Sequence, residues 1–272
     1  MTDTILRTLR THEKGIVLIN GPITDQLALD FCDELDSLYD YYQYETVLLR
    51  IHSPGGQTLA LDFMMERIDF WRAQGRKMHT QATMQAVSAA ALLLSLGEVG
   101  HRYASPSSAL LYHHTRFVTT SSQTVTARAA MEAVQQLIES DHLLMKRLCK
   151  HLLHGFGGAV AFAQAGIQRI QAIKDVMTSH PNGKKPKWIE ETKQVYEQVR
   201  VMNGIKLYQQ LLMRRFDEDT IMSQVQAWAL MLIDDVDLPA ITRGQSTCAV
   251  SQSNLSMPPA LAAGLVETAL HA

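Results

Sequence analysis

The sequence predicts an α/β fold with a mostly parallel sheet core and an enlarged helical region, on three observations. Short strand-like runs alternate with amphipathic helical patterns through the first half, the signature of crossover units on a parallel sheet. The strand-like runs are apolar at nearly every position rather than at every second one, as in strands covered by helices on both faces. Helical periodicity dominates most of the second half.

Ile16 to Asn20 is a β-branched run, and Gly21-Pro22 ends it with a strong turn signal. Thr24 and Asp25 then open a helix that carries Leu27, Phe31, Leu35 and Leu38 on one face. Thr46 to Ile51 is the second strand, broken by Ser53-Pro54-Gly55-Gly56. Leu61, Met64, Met65, Ile68 and Trp71 follow at helical spacing. A strand near Lys77 to Thr83 leads into a small-residue helix, Ser88 to Leu96. After a turn at Ser105-Pro106, the last predicted strand is Ala109 to His113.

Residues 124–154 and 189–216 read as helical. Between them lie Gly155-Phe156-Gly157-Gly158, an amphipathic piece through Lys174, and a polar break from Pro181 to Lys187 that reads as a solvated loop. The expectation is a helical hairpin projecting from the sheet core. After Thr242 the chain is small and polar, then mildly apolar from Pro258 to Leu270, which suggests a flexible segment and a short terminal helix. The expected organisation is a core over 1–123, a helical insertion over 124–216, a return to the core over 217–241 and a tail over 242–272.

Composition narrows the function. Hydrophobic residues at 46% and charged residues at 19% provide a sizeable core and exclude a disordered chain. A formal charge of −2 with no basic stripe argues against a nucleic-acid partner. Ala89 to Leu96, the longest aliphatic stretch, is too short to span a bilayer, and the first residues show no signal-peptide run. Cys32, Cys149 and Cys248 are odd in number and far apart, which fits no disulfide framework. A soluble, cytoplasmic protein with no membrane partner is expected.

Four places carry candidate chemistry. Ser88 opens a helix after a strand, where backbone N–H groups favour developing negative charge, although an ordinary N-cap serine suits the position too. Gly55-Gly56 lets the backbone approach a ligand and offer an unhindered N–H, or simply turns the chain. His113 ends a strand at the sheet's carboxyl edge, where ligands usually bind. His114 competes with it, and strand alternation lets only one of the two face Ser88. Asp219 lies in a crowd with Asp217 and Glu218, and spacing alone does not choose among them. A zinc site from His113, His114, His151 and His154 fits poorly, because His151-x-x-His154 lacks the HExxH glutamate and no cysteine pair joins it. No cofactor is expected.

Together these pieces resemble the proteolytic subunit of the Clp protease family, within the wider crotonase-like fold of repeated ββα units. The likeness runs from about Ile16 to Asp237. It is most specific at Ile51-His52-Ser53-Pro54-Gly55-Gly56, Gln85-Ala86-Val87-Ser88, Pro106 to His113, and Asp219-Thr220-Ile221-Met222-Ser223, with Leu232-Ile233-Asp234 beyond. The resemblance selects His113 over His114 and Asp219 over its neighbours. It implies Ser88 as nucleophile, His113 as general base and Asp219 as the group that orients the imidazole. It assigns the oxyanion hole to the backbone N–H groups of Gly56 and Ala89. The implied substrate is a peptide or unfolded protein, held inside a homo-oligomeric ring and fed by an AAA+ unfoldase, with the helices after His113 as the family's handle between subunits.

The chain departs from the family pattern at Ala89-Ala90 after the serine, and at Met231, where a glycine is usual and a left-handed backbone is expected to be strained. The handle is also longer, around Phe156 to Lys187. These departures keep other readings open: a catalytically inactive scaffold, an acyl-CoA enzyme of crotonase type, or a Ser-Lys dyad with a handle lysine such as Lys146.

Overall fold

The structure, a computed structural model, describes residues 14–116, 126–178, 186–217, 221–236 and residue 257. Its first half is a run of strand-to-helix units. β1 (Ile16–Asn20) leads into α1 (Asp25–Asp36), capped by the Thr24 hydroxyl accepting from the Leu27 N–H, and a π-helical turn over Ser37–Tyr41 follows. β2 (Thr46–Ser53) leads into α2 (Thr58–Ala73), and β3 (Lys77–Val87) into α3 (Ala89–Ser95). Two short strands come next, β4 (Arg102–Ala104) and β5 (Ala109–Leu111).

Six strands form one sheet in the order β1-β2-β3-β5-β6, with β4 beside the first half of β3. Every pairing is parallel except that of β5 with β6 (Ile221–Met222). A mixed α/β architecture on a mostly parallel sheet is therefore what the chain adopts. Val17, Ile19, Val47, Leu49, Ile51 and Ala82 are fully buried or nearly so. The apolar runs seen in the sequence thus supply the core, and removing such side chains from water is its main stabilisation, at about 25 cal/mol per Å² of apolar area.

β3 runs on to Val87, past the predicted end. Its first half pairs with β4 through Thr80, Gln81 and Ala82; its second half pairs with β5 through Gln85, Ala86 and Val87. β4 escaped the sequence reading because Arg-Tyr-Ala carries no apolar run. β5 ends at Leu111, two residues short of expectation, and this changes how the next residues face the site.

The second half holds four long helices: α4 (Ala127–Gly155), α5 (Ala159–Thr178), α6 (Lys187–Met202) and α7 (Lys206–Phe216). Asn203, in a left-handed conformation, separates the last two. Helices α5 to α7 do not project as a hairpin. The Phe162 ring meets Tyr196 and Tyr208 edge-on and Tyr196 stacks on Tyr208, all within 6 Å, and the Tyr196 hydroxyl donates to Ala229 O at 2.8 Å. Ala229 ends α8 (Gln224–Ala229), which a Ser223–Gln226 capping box opens. The apolar faces of α5 to α7 thus close over the return segment. Only the first turns of α4, up to Leu143, stay mostly exposed.

A buried ionic knot fastens this layer. Arg102 on β4 makes a two-pronged contact with Asp234, Nε to Oδ2 and Nη2 to Oδ1, each at 2.7 Å. Arg169 on α5 reaches the same carboxylate at 3.0 Å and donates to Ile233 O at 2.7 Å. Burial works to raise the Asp234 pKa, but the Arg102 charge and hydrogen bonds, followed by those of Arg169, outweigh it and hold the carboxyl well below the usual range. Met231 takes φ +60, the left-handed backbone its position demands, with its side chain fully buried. The Arg102 Nη1 donates to its carbonyl at 2.8 Å.

The polar break at Pro181 to Lys185 and most of the tail after Thr242 lie outside the described residues. No helix among the described residues is long and apolar enough to cross a membrane.

Candidate active site

Ser88 directly follows β3 and precedes α3. Its backbone stands at φ +58 and ψ −124, a region that costs a non-glycine residue about 1–3 kcal/mol. Its N–H donates to Leu111 O at 2.8 Å, and its carbonyl accepts from Ala91 at 3.0 Å. The side chain caps nothing on α3. The N-cap reading is therefore corrected, because the hydroxyl is not spent on the helix. A serine held in a strained strand-to-helix turn with an unused hydroxyl is how a nucleophile is presented to a cleft.

The Ser53–Gly56 loop packs against this turn. A side chain at Gly55, which has φ +89, would bring a Cβ within 2.5 Å of Val87 O and 2.7 Å of Ser88 Cβ. At Gly56 a Cβ would come 2.0 Å from Ile23 O. The loop is pinned by Ile23 N–H to Gly55 O at 2.8 Å and by Gln57 N–H to Ile23 O at 2.9 Å. Among the described residues the N–H groups of Gly56 and Ala89 find no backbone acceptor. Both residues line one cleft of about 200 Å³ together with Ser88 and His113.

His113 reaches that cleft because β5 runs beside the end of β3, with Val87 opposite Leu111. Below it, Tyr112 is buried, its hydroxyl 2.8 Å from Ser95 Oγ and its ring stacked on Phe216 at 5.2 Å. The His113 Nδ1 lies 2.5 Å from His114 O. A carbonyl can only accept, so Nδ1 carries the proton, and in the neutral ring Nε2 then keeps its lone pair, the tautomer a general base needs. Among the described residues no hydrogen bond joins Ser88 to His113.

His114 also lines the cleft. The expectation that only one of the two histidines faces Ser88 fails because β5 has already ended, so strand alternation no longer governs them. Their environments differ instead. His114 Nδ1 lies 3.0 Å from Asp141 Oδ2. Its Nε2 lies 2.9 Å from Met213 O and 3.1 Å from Asp217 Oδ1. Both nitrogens of His114 are occupied by acceptors, whereas His113 uses one. Asp219 lies outside the described residues; nearby Asp217 is one of the two acids that meet His114.

The far wall of the cleft comes from Leu144 and Met145 on α4, from Phe216 and from Leu61 and Leu92. Lys146 points outward from α4 and is exposed. His151 is half-buried elsewhere, its Nε2 2.8 Å from Gly97 O. Among the described residues no three His, Cys, Asp or Glu side chains gather as a metal site.

Residues 3–152 match the family model of the Clp protease. The chain belongs to the Clp protease family. The match covers β1 to β5, the Ser53–Gly56 loop, Ser88, both cleft histidines and α4 nearly to its end. Among the polar residues of this Clp protease family site that sequence reasoning missed is Asp141. Its signal was present: it occupies the apolar stripe of α4 with Leu144, Met145, Leu148 and Leu152, where an acid needs a partner.

Proposed function

We propose that this Clp protease family member is a serine peptidase acting on peptide or unfolded protein chains. The observation that carries the reading is Ser88, strained at φ +58, uncapped, and sharing a cleft with a histidine whose Nδ1 is held by a carbonyl. Ser88 Oγ attacks the scissile carbonyl and His113 Nε2 takes its proton, then returns it to the leaving amine. The amides of Gly56 and Ala89 receive the oxyanion, each donor contributing about 3 kcal/mol in the transition state. The family resemblance assigns the orienting role to Asp219; in the described residues the acceptor at His113 Nδ1 is the His114 carbonyl. A homo-oligomeric ring, an AAA+ partner and a cytoplasmic setting belong to the same proposal, and no metal or organic cofactor is needed.

A fluorophosphonate probe tests it. Native protein is expected to label on one serine, with Ser88→Ala unlabelled and His113→Ala slowed by about a thousandfold or more. Native protein that never labels rejects the peptidase reading. The missing Ser88–His113 hydrogen bond favours one alternative, a catalytically silent scaffold that kept the fold. Active-site hydrogen bonds are often long until substrate binds, so a Ser88–His113 contact that forms on probe binding decides between the two.

A further inference from the structure

One carboxylate inside the cleft holds His114 and Thr115, the two residues that follow His113. Asp141 Oδ1 accepts from the Thr115 N–H at 2.8 Å and from the Thr115 hydroxyl at 2.6 Å. Its Oδ2 faces His114 Nδ1 at 3.0 Å. Three contacts thus leave one anionic side chain for two consecutive residues, and its side chain is only 14% exposed. An anion desolvated to this degree needs such donors. The residue it indirectly controls is His113, because the acceptor of the His113 Nδ1 proton is the carbonyl of His114. That carbonyl belongs to the peptide linking His114 to Thr115, whose N–H donates to Asp141 on its other side. A peptide unit is planar, so fixing its N–H fixes the direction of its C=O.

We propose that Asp141 is a positioning residue for the catalytic histidine: by gripping the His114–Thr115 peptide it aims the His114 carbonyl at His113 Nδ1 and selects the tautomer with a basic Nε2. The inference rests on the peptidase reading for its meaning in catalysis, but the tautomer it predicts exists without turnover. Asp141 touches none of the reacting atoms. It acts from α4, so the helix that walls the cleft also sets the state of the base. His114, with both ring nitrogens taken, serves as the second arm of the grip.

The test combines labelling kinetics with nitrogen NMR of the histidine rings on the full chain. In Asp141→Ala the first-order labelling step of the fluorophosphonate is expected to slow by about tenfold to a hundredfold, as for a misplaced reacting group, while the probe's binding constant stays unchanged. The His113 ring is expected to lose its single Nδ1–H signature. Asp141→Asn keeps an acceptor for both Thr115 donors and is expected to recover most of the rate. Should Asp141→Ala not fold, Thr115→Val removes one contact and is expected to show the same signs, weakened. Native labelling kinetics and an unchanged His113 spectrum in Asp141→Ala overturn the proposal. If the native protein never labels, the peptidase reading falls alone; loss of the Nδ1–H signature in Asp141→Ala then supports the positioning role and its retention overturns it.

Discussion

Ser88 adopts a backbone at φ +58 that an L-residue holds only when its neighbours enforce it. Gly55 is the neighbour pressed closest, with room for no Cβ against Val87 O and Ser88 Cβ. Gly55→Ala is therefore expected to lose about 2 kcal/mol or more in urea melts and to label more slowly at Ser88. Gly75 provides the comparison, since it has φ +81 but nothing within 4 Å of a built Cβ. Gly75→Ala is expected to show only the backbone strain, about 1–2 kcal/mol, with labelling intact. Equal labelling in the two variants would mean that the Gly55 contact does not shape the nucleophile. At this scale the sequence showed a serine after a strand and two adjacent histidines. It left cap and nucleophile undecided, because both want the same residue at a helix start. The difference lay in where one hydroxyl points and in which ring nitrogens are taken.

Between elements, polar contacts buried under α4 and α5 dominate. The Asp234 carboxyl joins β4, α5 and the return segment, and two guanidiniums face it. Asp234→Asn strips the anion from two buried cations and is expected to cost about 3–5 kcal/mol. The folded pKa of Asp234 lies below its unfolded value, so on acidification the unfolded chain takes the proton first. This stabilisation is full above the unfolded pKa and is lost as pH falls through the folded one. His151 acts at higher pH. Burial, then the Arg72 and Arg102 charges, push it down to about 3 from 6.5. Below 6.5 only the unfolded chain gains that proton, so stability drops as pH falls toward the folded value, by about 1.4 kcal/mol per unit. His151→Gln preserves a donor for Gly97 O and is expected to flatten the decline, read as denaturant midpoints between about pH 7 and about pH 5. An unchanged slope in that variant would remove His151 as its source. Most elements were legible in the sequence, since apolar periodicity and the Gly-Pro and Pro-Gly-Gly breaks marked them. β4 was not, and neither was the packing of α5 to α7, because a three-residue strand and a helix's choice of partner leave no local pattern.

At the scale of the whole molecule, α4 is covered at one end and uncovered at the other. Its first turns expose Met131, Val134 and Ile138 at 74%, 54% and 46%, while Leu148 and Leu152 near its end are buried. An apolar stripe left in water is a place for assembly. If the chain assembles through α4, Val134→Glu with Ile138→Glu is expected to lower the mass measured by light scattering while leaving the melting temperature of the subunit unchanged. A native protein that scatters as a 30.4 kDa monomer at all concentrations would oppose the ring proposal.

The sequence by itself determined the mostly parallel α/β class, the order of its first strands and helices, the glycine loop and Ser88 and His113 as residues of the candidate site. Those features are local: periodicity, turn chemistry and residue type act over a few positions. Only the tertiary structure decided that the Ser88 hydroxyl is uncapped, that His114 rather than His113 is enclosed by acids, that Met231 pays for its left-handed turn within a buried arginine knot, and that Asp141 grips the chain beside the base. Each of these depends on atoms brought together from distant stretches, where burial turns a single hydrogen bond or charge into a choice between conformations.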